Sequence, residues 1–130
     1  MNEIYDFLKA AGTYFLATAE GDQPRVRPFG TIDVFEGRLY IQTGLSKDVA
    51  KQMLANPRVE LCAFNGGKWI RVTANARLDE NIEAQKHMLD AFPELKAMYT
   101  PGDGNTAVFA LENGSAVIAS FTDAPAAYTF

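Results

Sequence analysis

The residues best suited to chemistry in this chain lie in Thr43-Gly44-Leu45-Ser46-Lys47. A turn feeding a helix start exposes backbone N–H groups that have no partner inside the helix, and the aligned peptide dipoles add partial positive charge there. Ser46 is the predicted N-cap of a helix from Lys47 to about Ala55, and it adds a hydroxyl. Lys47 adds a cation in the first turn, the end where cations are disfavoured, so an anionic ligand, most simply a phosphate, accounts for it. The bland alternative is a solvated lysine behind an ordinary cap. A second candidate is Arg25-Val26-Arg27-Pro28-Phe29-Gly30, where alternation puts Arg25, Arg27 and Phe29 on one strand face. Those side chains can grip an anion and stack a ring, or simply form the polar side of a half-exposed strand. The third is Lys68-Trp69-Ile70-Arg71-Val72, with Trp69 and Arg71 on one face. Core packing, a subunit interface and stacking on a ligand all fit that pair.

No nucleophile or acid–base constellation emerges. His87 is the single histidine and is expected alone on a helix surface, so no Ser–His or Cys–His pair forms in the sequence. Cys62 is expected to fill the core; as the sole cysteine it excludes an intrachain disulfide and a Cys-rich zinc site, and it fits a reducing compartment. Glu80, Glu83, Asp90 and Glu94 read as a solvated helix face rather than metal ligands. Redox work by such a chain requires a cofactor.

The elements that must position these residues follow from periodicity and turn signals. Ile4, Phe7, Leu8 and Ala11 predict a short helix that Gly12 ends. Tyr14–Ala19 and Gln23–Val34 predict an antiparallel pair around Gly21-Asp22, with an open side or bulge at Pro28. Glu36-Gly37 turns into Arg38–Thr43; the next helix buries Val49, Met53 and Leu54 and stops at Asn56-Pro57. Val59–Phe64 and Trp69–Leu78 pair around Asn65-Gly66-Gly67. A helix over Glu80–Ala91 turns Ile82, Met88, Leu89 and Phe92 inward, with a further turn over Pro93–Tyr99. Ala107–Leu111 and Ala116–Phe121 predict a last hairpin around Asn113-Gly114. Six or seven strands joined by tight turns give a mainly β, antiparallel fold, most simply closed into a small barrel. The Gly-rich crossover of a doubly wound dinucleotide fold is missing.

With 130 residues, 48% of them hydrophobic and 22% charged, the chain fits one domain spanning residues 1–130 and excludes disorder. The net charge of −4 argues against nucleic acid as a partner. It is uneven, at −3 over residues 1–24, +5 over 25–77 and −6 over 78–130, so the candidate anion site falls in the basic middle. No apolar run reaches the roughly 18 residues of a membrane span, and no cationic start leads into an apolar stretch, so a soluble, cytoplasmic protein is expected.

Taken in order, Phe15-Leu16-Ala17-Thr18, Pro24 to Gly30, Gly37-Arg38-Leu39-Tyr40-Ile41-Gln42-Thr43, Ser46-Lys47, Gln52, Asn56-Pro57-Arg58-Val59 and Trp69-Ile70-Arg71-Val72 resemble the pyridoxamine 5′-phosphate oxidase-like family of FMN-binding split-barrel proteins. The resemblance covers about Tyr14 to Leu78. It implies a six-stranded, Greek-key split barrel forming a homodimer with two FMN sites at the interface. Carried over residue by residue, Ser46 and Lys47 hold the FMN phosphate with help from Arg27. Arg27, Pro28 and Phe29 lie along the isoalloxazine ring, Gln42 and Thr43 border the ribityl chain and phosphate, and Gln52 bonds the flavin. Trp69 and Arg71 come from the opposite subunit. The namesake oxidase ends in a strand with an Arg-x-His motif, whereas Ala126 to Phe130 carry none, so oxidation of pyridoxamine phosphate is not expected; Tyr128 and Phe130 are expected near a flavin or across the dimer. The implied activity is an FMN-dependent oxidoreductase acting on a small molecule. The alternatives are a non-catalytic flavin-binding or sensing module, or a relative using the deazaflavin F420 or haem; haem is least favoured because His87 is the lone histidine.

Overall fold

A computed structural model describes all 130 residues. Helix α1 (Asn2–Ala11) buries Ile4 and Leu8 and ends at Gly12. The hairpin of β1 (Tyr14–Glu20) and β2 (Gln23–Phe29) pairs in continuous register from Tyr14↔Phe29 to Glu20↔Gln23. Then come β3 (Asp33–Phe35), β4 (Arg38–Gly44), α2 (Asp48–Ala55), β5 (Arg58–Asn65) and β6 (Lys68–Asp79). Helix α3 (Ile82–Ala91) leads through a 3-10 turn (Pro93–Ala97) to the long β7 (Thr106–Ser120) and the short β8 (Ala126–Thr129). Gly66 and Gly67 both adopt positive φ, 61° and 79°, in the two-residue turn whose twist matches the strands it joins.

The sheet runs β2-β1-β5-β6-β7-β4-β3, with β8 added to β7, and every pairing is antiparallel. Six strands of seven residues or more make the barrel; β3 and β8 are short additions. The sheet does not close. Edge strand β2 carries Pro24 and Pro28, which have no N–H to offer a further strand, so a gap remains between β2 and the β4–β3 edge. Twenty-one buried side chains fill the barrel, among them Tyr14, Leu16, Ile41, Leu61, Ile70 and Phe109. A smaller cluster of Tyr40, Ala84, Met88, Val108 and Ala110 seats α3 on the outside of the sheet.

Several expectations are corrected. Gln23–Val34 is two strands, because the chain leaves β2 after Phe29 and re-pairs only at Asp33 with Tyr40. Asn113-Gly114 is no hairpin turn: β7 continues through it against β6, and the register shift opposite Ala74 makes it a bulge, with Asn113 at φ 51° supplying the local twist. Leu54 and Ile82 are exposed, and Cys62 is half-buried, since β5 turns alternate residues outward. His87 is not alone, as Asp33 bonds it. Outside these corrections, Tyr128 and Phe130 are half-buried against the core, held by β8 pairing and by reciprocal Gly114–Phe130 backbone hydrogen bonds, each with part of its surface still open.

Candidate functional site

The gap in the barrel is a cleft of about 270 Å³. Arg27 to Thr31 at the end of β2 form one wall, and Gln42 and Thr43 of β4 form the other. Lys47 and Val49 close one end; Leu95, Met98 and Tyr99, on and just past the 3-10 turn, add an apolar flank. Thr31 stitches the walls together: the Gln42 N–H donates to its Oγ1 (3.0 Å), and its carbonyl accepts from the buried Tyr14 hydroxyl (2.5 Å). Burial raises the Tyr14 pKa well above the ordinary phenol value, so this hydroxyl remains a donor.

The anion end differs by one residue from the sequence reading. The Ser46 N–H donates to Asn105 Oδ1 (3.0 Å) and the Lys47 N–H to the Gly44 carbonyl (3.0 Å), which moves the helix cap from Ser46 to Lys47. Lys47, in extended conformation, makes no side-chain cap, so the first N–H groups of α2 are left for another acceptor. Lys47 is exposed and in no ion pair. Gly44 is tightly packed here: a Cβ would sit 3.1 Å from both the Tyr99 hydroxyl and Asn105 Nδ2, so those side chains would have to shift by a few tenths of an ångström. Asp103 orders the loop that presents Asn105, accepting from the N–H groups of Thr100, Asn105 and Thr106 and from the Thr106 hydroxyl. Those bonds, led by the backbone N–H groups of Thr106 and Thr100, hold its carboxyl far below the usual range.

Arg27 is fixed from behind. Its Nη1 donates to the Leu16 carbonyl (3.1 Å) and Thr18 Oγ1 (2.8 Å), its Nη2 to Gln52 Oε1 (2.6 Å), and Thr18 also donates to Gln52 (2.6 Å). Burial, then the nearby Arg25, lowers the Arg27 pKa, and no carboxylate neutralises it. A part-buried guanidinium held by neutral acceptors keeps its charge for a ligand. Gln42 is the counterpart on β4: it is only 5% exposed, and both its amide oxygen and nitrogen are buried without a partner. Such a pair costs roughly 1–3 kcal/mol per group unless something fills it.

The cleft thus gathers Arg27, Pro28, Phe29, Gln42, Thr43 and Lys47. Ser46 and Gln52 do not line it; Gln52 is buried behind Arg27 with its oxygen taken by two donors. Trp69 and Arg71 line a separate concavity on the β5–β6–β7 face with Glu60 and Thr73. Sequence reasoning missed Thr31, Leu95, Met98 and Tyr99; Glu94 and Lys96 interrupt the apolar residues behind Pro93, so no local pattern marks the last three.

The family model described as pyridoxamine 5'-phosphate oxidase matches residues 1–117. The chain belongs to the pyridoxamine 5'-phosphate oxidase family. A NimC/NimA family protein from Clostridium acetobutylicum is 41% identical, with a TM-score of 0.97 over 100% of this chain and 92% of that one. An FAD-binding protein from Mesorhizobium loti shares the fold at 23% identity and TM-score 0.60, covering 92% and 94% of the two chains. A heme-binding protein from Mycobacterium smegmatis does so at 15% identity and TM-score 0.68, over 94% of this chain and 55% of that one. No protein of curated function matches the chain. No helix is long and apolar enough to cross a membrane.

Proposed function

We propose that the cleft between β2 and β4 binds FMN and that the protein is an oxidoreductase passing electrons between a reduced donor and a small acceptor. The observation that carries this reading is the cleft's polarity: cationic and N–H-rich at Lys47, apolar at Phe29, Leu95 and Met98, with the unpartnered Gln42 amide in its wall. When bound, FMN supplies the redox chemistry. Lys47 and the free N–H groups of α2 neutralise its phosphate. Arg27, held by Thr18 and Gln52, contributes positive charge beside the ligand. Pro28 and Phe29 lie along the ring, Thr43 borders the chain to the phosphate, and Leu95, Met98 and Tyr99 exclude water from the outer side. The Mesorhizobium loti neighbour, an FAD-binding protein, supports a flavin. For haem, the usual histidine ligand is missing from the cleft, since His87 is bonded to Asp33 and does not line it.

The site is shared in a homodimer. Trp69 and Arg71 face outward in their own chain, beside Phe121 (92% exposed, 5.0 Å from the Trp69 ring) and near Phe64 (67% exposed). A second copy of the chain covers this aromatic face and receives Trp69 and Arg71. Sedimentation of the purified protein at the dimer mass is the expected result; a stable monomer that binds FMN tightly contradicts the shared site.

Mass spectrometry of the ligand released from natively purified protein tests the cofactor, with FMN as the expected mass; F420, haem or another mass contradicts it. Bleaching of the bound flavin by NADH or NADPH, followed by reoxidation by an added acceptor, distinguishes an enzyme from a flavin-sensing module.

A further inference from the structure

Three tyrosines of the chain are buried, and they differ in how their hydroxyls are used. The Tyr14 hydroxyl donates to the Thr31 carbonyl and the Tyr40 hydroxyl to Asp79 Oδ2. Tyr99, only 7% exposed, bonds the Leu95 carbonyl through its backbone N–H, while its hydroxyl, which lies over Gly44, makes no hydrogen bond within the chain. It is also the one of the three that lines the cleft. A tyrosine kept for packing spends its hydroxyl on the fold; this one holds a proton at Oη for something that enters. Beside it on the cleft flank, Leu95 is half-buried and Met98 is 70% exposed, an apolar side chain held at the mouth of the cleft rather than in the core.

This flank offers no charge. No carboxylate lines the cleft, and its two cations, Arg27 and Lys47, serve FMN in the proposed reading. Lys96, next to Leu95, is turned to Asp90 (2.8 Å). A charged molecule pressed against Leu95 and Met98 loses water with no counter-ion to replace it, whereas an uncharged apolar one gains from the contact. A single oxygen on that molecule completes the match by accepting from Tyr99. Resting on the FMN reading, we infer that the small molecule taken by this site is an uncharged carbonyl compound, its apolar body on Leu95 and Met98 and its oxygen on Tyr99 Oη.

The test titrates FMN-loaded protein, with no reductant present, against naphthalenes that share one ring system: 2-acetylnaphthalene, 2-ethylnaphthalene, 2-naphthoate and 2-naphthylmethylammonium, followed by calorimetry. Wild type is expected to bind the ketone about tenfold more tightly than any of the others. Tyr99→Phe keeps the ring and is expected to bring the ketone down to the level of the ethyl compound, with FMN affinity and melting temperature unchanged. Met98→Ala is expected to weaken the ketone and the ethyl compound alike, by about fivefold. Tightest binding of the carboxylate or the ammonium overturns the inference, as does a ketone preference that survives Tyr99→Phe. A fall in FMN affinity in Tyr99→Phe overturns it too, by giving the hydroxyl to the cofactor. Protein that takes up no FMN overturns the FMN reading itself, while FMN-loaded protein indifferent to all the naphthalenes overturns this inference alone.

Discussion

Tyr40 and Gln42 lie two residues apart on the same face of β4 and meet opposite fates. Beneath α3, the buried Tyr40 hydroxyl donates to Asp79 Oδ2 (2.6 Å), and nearby the buried Asp33 is bonded to His87 (2.6 Å). Two positions along the strand α3 has given way to the 3-10 turn and the cleft, and the Gln42 amide has no partner. One region spends its polar groups on holding a helix to a sheet; the other holds them back. Folded proteins pair nearly all buried polar groups, so an unpaired one beside an unneutralised Arg27 and an uncapped helix supports the ligand site proposed for the cleft.

The largest effect expected from breaking this contrast is at the anion end. Lys47→Ala should weaken FMN by about 10- to 100-fold, corresponding to loss of a charge-assisted contact of about 1.5–3 kcal/mol, and leave thermal stability unchanged because Lys47 is exposed and unpaired. Flavin fluorescence quenching and a melting curve measure both. On the paired side the pattern should invert. Asp79→Ala strands the buried Tyr40 hydroxyl and should cost about 1–3 kcal/mol in urea unfolding, with FMN affinity unaltered.

A smaller, pH-dependent effect belongs to Asp103, whose loop steadies Ser46 through Asn105. Its carboxyl titrates lower in the folded than in the unfolded chain, so its contribution to stability is complete above the ordinary carboxylate pKa of about 4 and is lost as pH falls towards the lower folded value. Asp103→Asn should therefore be less stable than wild type at pH 7, and the difference should narrow as acid unfolding curves are taken below about pH 4. A gap that widens in acid contradicts the assigned hydrogen bonds.

What was legible in the sequence was local. Glycine pairs placed the β5–β6 turn, alternation placed Arg27 and Phe29, and Pro28 foretold the open edge that splits the barrel. Asn113-Gly114 misled because the same positive φ serves a turn or a bulge, and only the continuing partner strand decides between them. The cap at Ser46 shifted because Asn105, 59 residues away, takes its N–H. The Asp33–His87 bond and the Leu95–Met98–Tyr99 flank also depend on long-range packing, for which spacing along the chain carries no signal.

The most direct test of the account is a crystal structure of the protein soaked with FMN. The expected result places the phosphate on Lys47 Nζ and the first N–H groups of α2, the ring along Pro28 and Phe29, and the Gln42 amide hydrogen-bonded to the ligand between them. Flavin bound away from the β2–β4 gap, or bound there with its phosphate turned from Lys47, contradicts it.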